Sequence, residues 1–285
     1  MKKAFAIIVC LSLALAMLTG CGEKKETAKV TAKVIDIELT QEEYAYGVDK
    51  DQPELLEKVN TFIAEIMADG RFDDICNHYF GDGKPVAVKS AQEDASKDQL
   101  VVATNAAFEP FEYMDGDSYY GIDMEIAQAL ADYLGVELVI NNMAFESVCL
   151  SVGQHKCDIA MAGLTVKEDR KEYVTFSNSY YNASQKIIVP SDDTVFTGCT
   201  TAADVEAKIN GLASGTKIGV QNGTTGQFYV EGDPDWGFDG YKNVSTVGFA
   251  NGSLAVQAML NKNLSYVIID SAPAKCITDA INAMQ

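Results

Sequence analysis

Strands alternating with helices predict an α/β protein whose sheets are covered on both faces, and an echo between two halves predicts two similar lobes. Three observations carry this. From residue 100 the chain runs strand, helix, strand, helix, strand, and the rhythm resumes after Tyr180-Tyr181. VVATNAAF (101–108) and IGVQNGTT (218–225) share one form, a strand entering a small-residue turn. SVCLSVGQHKCDIAM (147–161) and SLAVQAMLNKNLSYVII (253–269) share another, helix then turn then strand. The chain has 285 residues, 47% hydrophobic and 22% charged, so it can build two cores. In such sheets a ligand sits beyond the carboxyl ends of the strands, so both small-residue turns are expected to face one shared cleft.

The elements follow in order. Lys2 and Lys3 precede an apolar stretch from Ala4 to Leu18, and Leu18-Thr19-Gly20-Cys21 follows. That stretch is short for a membrane span and has the order of a secretory signal. The small-residue site ending in cysteine resembles a bacterial lipoprotein cleavage signal. Residues 1–20 are then a signal peptide, and Cys21 is the lipidated first residue of the mature chain. An ordinary signal with an incidental cysteine is the alternative. Polar residues 21–32 read as a tether. KVIDIEL (33–39) alternates as a strand, and YAYGV (44–48) is a second candidate. From Gln52 to Ala68, Leu55, Leu56, Val59, Phe62, Ile63 and Ile66 recur at helical spacing, and Gly70 ends the run. Residues 72–80 form a shorter helix. Residues 81–98 have linker composition.

Strands are then expected at 100–104, 136–140 and 157–162, with helices at 121–134 and 146–154. Asp123 is a candidate N-cap and Gly135 a candidate helix stop. The second half predicts strands at 187–189, 217–221 and 266–269, and helices at 202–209, 254–260 and 272–284.

Charge and cysteine content exclude several classes. Lys plus Arg number 22 against 41 Asp plus Glu, a formal charge of -19, and removing residues 1–20 takes two lysines and leaves -21. No basic run appears, which argues against nucleic-acid binding. Beyond Cys10 and Cys21, five cysteines remain without a framework spacing: Cys76, Cys149, Cys157, Cys199 and Cys276. They read as free thiols, and Cys149, Cys157 and Cys276 as buried ones. With no CxxC and only His78 and His155, no metal site is expected. GDPDWGFDG (232–240) lacks the ligand spacing of a calcium loop and reads as a turn. There is no P-loop, nucleophile elbow or histidine-based acid/base pair, so no cofactor and no catalysis are expected. The site is one for binding.

The chain resembles the amino-acid-binding lipoproteins that feed ABC importers. The stretches that carry the resemblance are VVATNAAFEPFEY, GIDMEIAQALADYLG, MAFES, AGLTVKEDRKEYVTFSNSYY, IGVQNGTTG and VIIDSAPAK, together with 42–81. The resemblance implies a two-lobed, type II periplasmic-binding fold. Each lobe has a mainly parallel sheet, and the ligand lies between the lobes. It implies that Arg170 clasps the ligand carboxylate with its guanidinium fork. Thr165 and Thr225 assist, Thr225 from a helix start, and Thr224 reads as a cap. Gly163 offers a carbonyl to the ammonium and Asp270 its counter-anion. Phe108 and Phe145 wall the side chain, while Asn105 and Gln221 touch it. Each has an ordinary alternative: a surface arginine, a turn aspartate or core aromatics. Asn105, where relatives often carry Asp, leans toward a polar neutral amino acid, with basic ones open. Glu109 and Glu112 either lend negative potential to the cleft mouth or are merely solvated. His155 stands where the family usually has Gly.

The implied partners are a free amino acid, an ABC permease and the membrane through Cys21. The implied state is a monomer on the outer surface. A sensor without transport, or a dehydratase of the same fold, is the alternative. Stretch 33–81 is what the family carries at its C-terminus, so the order looks circularly permuted. The large lobe is then 44–184, with 81–99 joining the ancestral ends, and the small lobe is 33–43 plus 185–285. Hinges are expected near Tyr44 and Tyr180–Ser184.

Overall fold

The computed structural model describes residues 30–284. The expected signal peptide, Cys21 and nearly all of the tether lie outside the described residues. Within them no helix is long and apolar enough to cross a membrane.

The chain starts with β1 (Ala32–Ile35) and β2 (Glu42–Tyr44), then β3 (Gly47–Asp49), α1 (Pro53–Asp69) and α2 (Arg71–Phe80). Next come β4 (Gln99–Thr104), the small strands β5 (Ala107–Phe108), β6 (Glu112–Asp115) and β7 (Ser118–Tyr120), α3 (Ile122–Leu134) and β8 (Glu137–Asn142). After α4 (Val148–Gly153), β9 (Ile159–Ala160) and β10 (Val174–Phe176), β11 (Tyr181–Ala183) leads into β12 (Gln185–Pro190). The remainder is α5 (Ala202–Asn210), β13 (Thr216–Gln221), α6 (Thr225–Glu231), β14 (Val244–Phe249), α7 (Gly252–Leu260), β15 (Tyr266–Asp270) and α8 (Ser271–Ala283).

Two five-stranded sheets define the lobes. One has the order β10-β3-β9-β4-β8, the other β1-β12-β15-β13-β14. Both are mixed rather than mainly parallel. β8, β4 and β9 run parallel, as do β14, β13 and β15, whereas the strands toward the crossovers pair antiparallel. The cause is the path of the chain. It leaves one lobe through β2 and returns through β11, and these pair antiparallel as a two-stranded ribbon.

Period-2 alternation distributes each strand between two helical layers. In the small lobe Ile187, Val189 and Ile268 pack with Val205, Ile209 and Tyr229 of α5 and α6. Their neighbours Ile188, Val267 and Ile269 pack with Val256, Met259 and Ile277 of α7 and α8 on the other face. In the large lobe Val102 joins Phe62, Ile126 and Leu130, while Ala103 joins Val148 and Val152 of α4. On α1, Val59, Phe62, Ile63 and Ile66 are the buried stripe. Each such side chain contributes roughly 1.5–3 kcal/mol on burial. Gly70, left-handed at φ 88°, then stops the helix.

Several expectations need correction. The strand expected at 33–39 ends at Ile35; the chain beyond leaves the sheet edge, though Leu39 N–H still reaches the Gln185 carbonyl at 2.9 Å. Asp123 is not the cap of α3: Gly121 is, and Asp123 is wholly buried in the first turn. Segment 81–98 is no loose linker but a strap. Val88 pairs with Tyr119, Ser90 Oγ accepts from Ile140 N–H at 2.8 Å, and Val86 N–H donates to Glu125 at 2.9 Å. Glu125, on α3, also accepts from Tyr79 of α2 at 2.6 Å and sits 2.8 Å from His78. One carboxylate thus ties three segments. Cys76, Cys149, Cys157, Cys199 and Cys276 are free, and Cys276 is half-buried rather than buried. His155 has φ 57°, the left-handed region that explains why glycine suits this turn, and Asp49 holds its ring at 2.8 Å.

α1 and α2 pack against α3, and β1 is the edge strand of the small-lobe sheet. Asn282, near the end of α8, clasps the start of β1. Its Oδ1 accepts from Ala32 N–H at 2.9 Å and its Nδ2 donates to the Ala32 carbonyl at 2.8 Å.

Gly121 enters α3 at φ 120°, ψ 162°, a conformation that essentially only glycine adopts. A Cβ there would lie 2.1 Å from the Phe111 carbonyl oxygen. Gly121→Ala is expected to cost at least about 3 kcal/mol in denaturant unfolding. Gly116→Ala, at φ 59° with nothing within 4 Å, is expected to cost about 1 kcal/mol.

Candidate functional site

The two small-residue turns do face each other. β4 and β13 end at Thr104 and Gln221, and the turns that follow meet across the interlobe cleft. Between the lobes lies a narrow, nearly closed cavity of about 10 Å³, room for roughly one water. Phe108, Phe145, Gly163, Thr165 and Arg170 line it from one side, and Gln221, Thr225 and Asp270 from the other. Asn105 does not reach it. Its side chain spans Met143 O, at 2.7 Å, and Gln221 Nε2, at 3.2 Å, so it sets the pose of Gln221 instead. Gln221 Oε1 has no partner among the described residues.

The large-lobe wall is shaped by backbone. Gly163 sits at φ 52°, and a Cβ there would press on Phe108 Cε1 at 3.0 Å. Its N–H donates to Asp123 Oδ2 at 2.8 Å. That explains why Asp123 is buried: it fixes the turn at Gly163, which lines the cavity. Its own pKa is pushed up to about 6 by burial, against the Gly163 bond. Arg170 opens a short 3-10 turn and is itself buried. It donates to the Thr165 carbonyl at 2.7 Å and to the Gly223 carbonyl of the opposite lobe at 3.1 Å, and its guanidinium lies 5.2 Å from the Phe145 ring centroid. A guanidinium has five N–H donors, so these two bonds leave others for a ligand.

The small-lobe wall carries the acid. Asp270 ends β15, is 5% exposed, and accepts from the Tyr44 hydroxyl at 2.5 Å. Burial first, and the Glu42 carboxylate second, raise its pKa to about 7. Thr225 starts α6, and its hydroxyl lies 3.3 Å from that of Thr165. Thr165 Oγ1 in turn donates to Glu42 at 2.8 Å.

Four residues were missed or given another role in the sequence reading. Thr224 lines the cavity although it reads as a cap. Tyr44 and Glu42 belong to β2, whose alternation signals only a strand. Glu112 was expected to be solvated or at the cleft mouth, but it is fully buried and both its carboxylate oxygens lack partners among the described residues. Burial, then Asp123 and Asp270, hold its pKa well above the usual range. Glu109 is exposed. Chemically, the cavity offers cationic donors at its Arg170 end and an acid at its Asp270 end.

Residues 100–275 match the model of the bacterial extracellular solute-binding proteins, family 3. The chain belongs to that family. It is 32% identical over 123 residues to the arginine-binding extracellular protein ArtP of Bacillus subtilis, covering 43% of this chain and 47% of ArtP. It is 29% identical over 193 residues to a probable histidine-binding protein of Neisseria gonorrhoeae, covering 67% and 65%. The matches thus span about half to two thirds of these relatives. An ancestral arginine-binding protein bound to arginine superposes with a TM-score of 0.55 at 29% identity, covering 65% of this chain and 75% of that one. This family 3 protein has the two-lobed type II architecture of these relatives.

The raised pKa of Asp270 makes stability depend on pH. Between about pH 4 and 7 the folded chain holds a proton that the unfolded chain has released. The stability from the neutral carboxyl is full below about pH 4 and is lost as pH rises through about 7. Each tenfold change in proton affinity is about 1.4 kcal/mol. Asp270→Asn is expected to flatten this decline, read as the difference in denaturant midpoint between about pH 5 and pH 8.

Proposed function

We propose that this protein captures a free basic amino acid, with L-arginine as the first choice, between its two lobes and hands it to an ABC permease. Lipid at Cys21 would hold it at the outer membrane surface. The observation that carries the reading is that Arg170 of one lobe and Asp270 of the other face one cavity. A zwitterion's carboxylate and ammonium can bridge the two, and that bridge is made only when the lobes close. The relatives named for arginine and histidine support the ligand class. So do Asp270, which lines the cavity, and Glu42, which lies directly behind it on the Thr165 hydroxyl. The arrangement favours binding over catalysis, since Arg170 and Asp270 are the charged groups among the described residues lining the cavity.

Calorimetric titration tests this. L-Arginine is expected to bind, and Arg170→Ala to weaken it by about 100-fold or more, because a carboxylate loses its charged donor on desolvation. Unchanged affinity in the variant would sink the site assignment. Binding of L-glutamine but not L-arginine would move the ligand to the neutral class.

We also read the segment order as a circular permutation. The Asn282 clasp, which brings α8 and β1 together, supports it, as does the packing of α1 and α2 on α3. Permutation is tolerated when ends meet at a surface. A chain reopened within 81–98 and joined from residue 284 to residue 31 through a short Gly/Ser link is expected to fold. Its L-arginine affinity should lie within about threefold of the parent.

A further inference from the structure

Lys167 belongs to the segment that carries Thr165 and Arg170 but stands outside the cavity. Its side chain is only 5% exposed, unusual for lysine unless paired. The ammonium sits 2.8 Å from Asp169 of its own lobe and 2.8 Å from Asp233 of the other. It also lies 4.2 Å from the Phe228 ring centroid, on α6 of that other lobe. Two of its three partners are thus across the cleft.

The acceptor side is rigid. Asp233 exchanges backbone hydrogen bonds with Phe238, both at 2.9 Å, and its Oδ1 accepts from Asp235 N–H at 3.0 Å. This is the stretch GDPDWGFDG that reads as a turn, and its tight local bonding pre-sets the carboxylate. Phe228 lies one turn along the helix from Thr225, which lines the cavity. A contact on Phe228 and Asp233 therefore holds the body of α6 while its first residue faces the ligand space.

We propose that Lys167 and Asp233 are positioning residues that latch the lobes shut without touching the ligand, seating α6 against Thr165 and Arg170. The inference rests on the reading that the ligand is an amino acid held by closure. When the lobes part, Lys167 keeps Asp169 and loses Asp233 and Phe228. Water then solvates the ammonium and offsets part of the loss. The latch thus biases closure modestly. A ligand that needs the closed state binds more weakly in proportion to the fraction closed, and the deficit falls on dissociation.

Lys167→Met keeps an apolar stem on Phe228 and removes the charge, and Asp233→Asn keeps the shape of the turn. In stopped-flow binding of L-arginine, each is expected to raise the dissociation rate about tenfold with the association rate little changed. The double variant should be no worse than either single one, because both break one interaction. Unchanged dissociation in both single variants, or fully additive effects, overturns the latch. Small-angle scattering without ligand is the second readout. Both single variants should have a larger radius of gyration than the parent, and identical curves count against the proposal. Should L-arginine fail to bind the parent protein, the ligand reading fails and the scattering comparison still decides the latch.

Discussion

The hydrogen bond from Tyr44 to Asp270 organises this molecule. Tyr44 is wholly buried on the outgoing crossover strand, and Asp270 closes the last strand of the small-lobe sheet. Tyr44 also bridges in backbone to Thr165, and Ala45 N–H donates to the Leu164 carbonyl at 3.0 Å. Its ring meets Phe111 edge-on at 5.2 Å and lies 5.8 Å from Tyr181 of the returning strand. Alternate strand residues share a face, so Glu42 points the same way and holds the Thr165 hydroxyl. One short strand thereby registers the loop that carries Gly163, Thr165 and Arg170 against the strand end that carries Asp270.

The cost of that arrangement is a set of buried acids. Asp270, Asp123 and Glu112 are all removed from water, and burial pushes each toward its neutral form. The Tyr44 hydroxyl on Asp270, and the Tyr46 hydroxyl and Gly163 amide on Asp123, offset part of the penalty, since hydrogen bonds to the charged form favour it. In the proposed reading a cationic ligand group beside Asp270 would favour the charged carboxylate, and stability given up in the empty protein would reappear as affinity.

The lobes meet through contacts of two kinds. Within the cavity Arg170 reaches the Gly223 carbonyl, and Gln221 meets Asn105. At the rim Lys167 reaches Asp233, 66 positions away along the chain. The antiparallel ribbon of β2 and β11 joins the two lobes and would be the axis of the proposed closure.

By itself the sequence determined the two-lobed α/β plan and most of the cavity wall. Helix stripes such as 59–62–63–66 and apolar strand runs such as YVII need no partner to be read, because their period is local. The paired small-residue turns were legible by their own echo, and Arg170 and Asp270 through the family resemblance, whose motifs are contiguous. Tertiary structure alone decided the rest. Asp123 looked like a cap until the Gly163 amide approached it, and segment 81–98 looked like a linker until Glu125 and Tyr119 pinned it. Glu112 read as solvated or at the cleft mouth, and the fold buries it completely near Asp123 and Asp270. Asn105 looked like a ligand contact until Gln221 and Met143 occupied its amide. The mixed sheets arise because the chain crosses between lobes twice, a fact of path rather than of any window of residues. In each case the deciding partner lies tens of residues away, where no local period reaches, and only the packed fold brings the two within hydrogen-bonding distance.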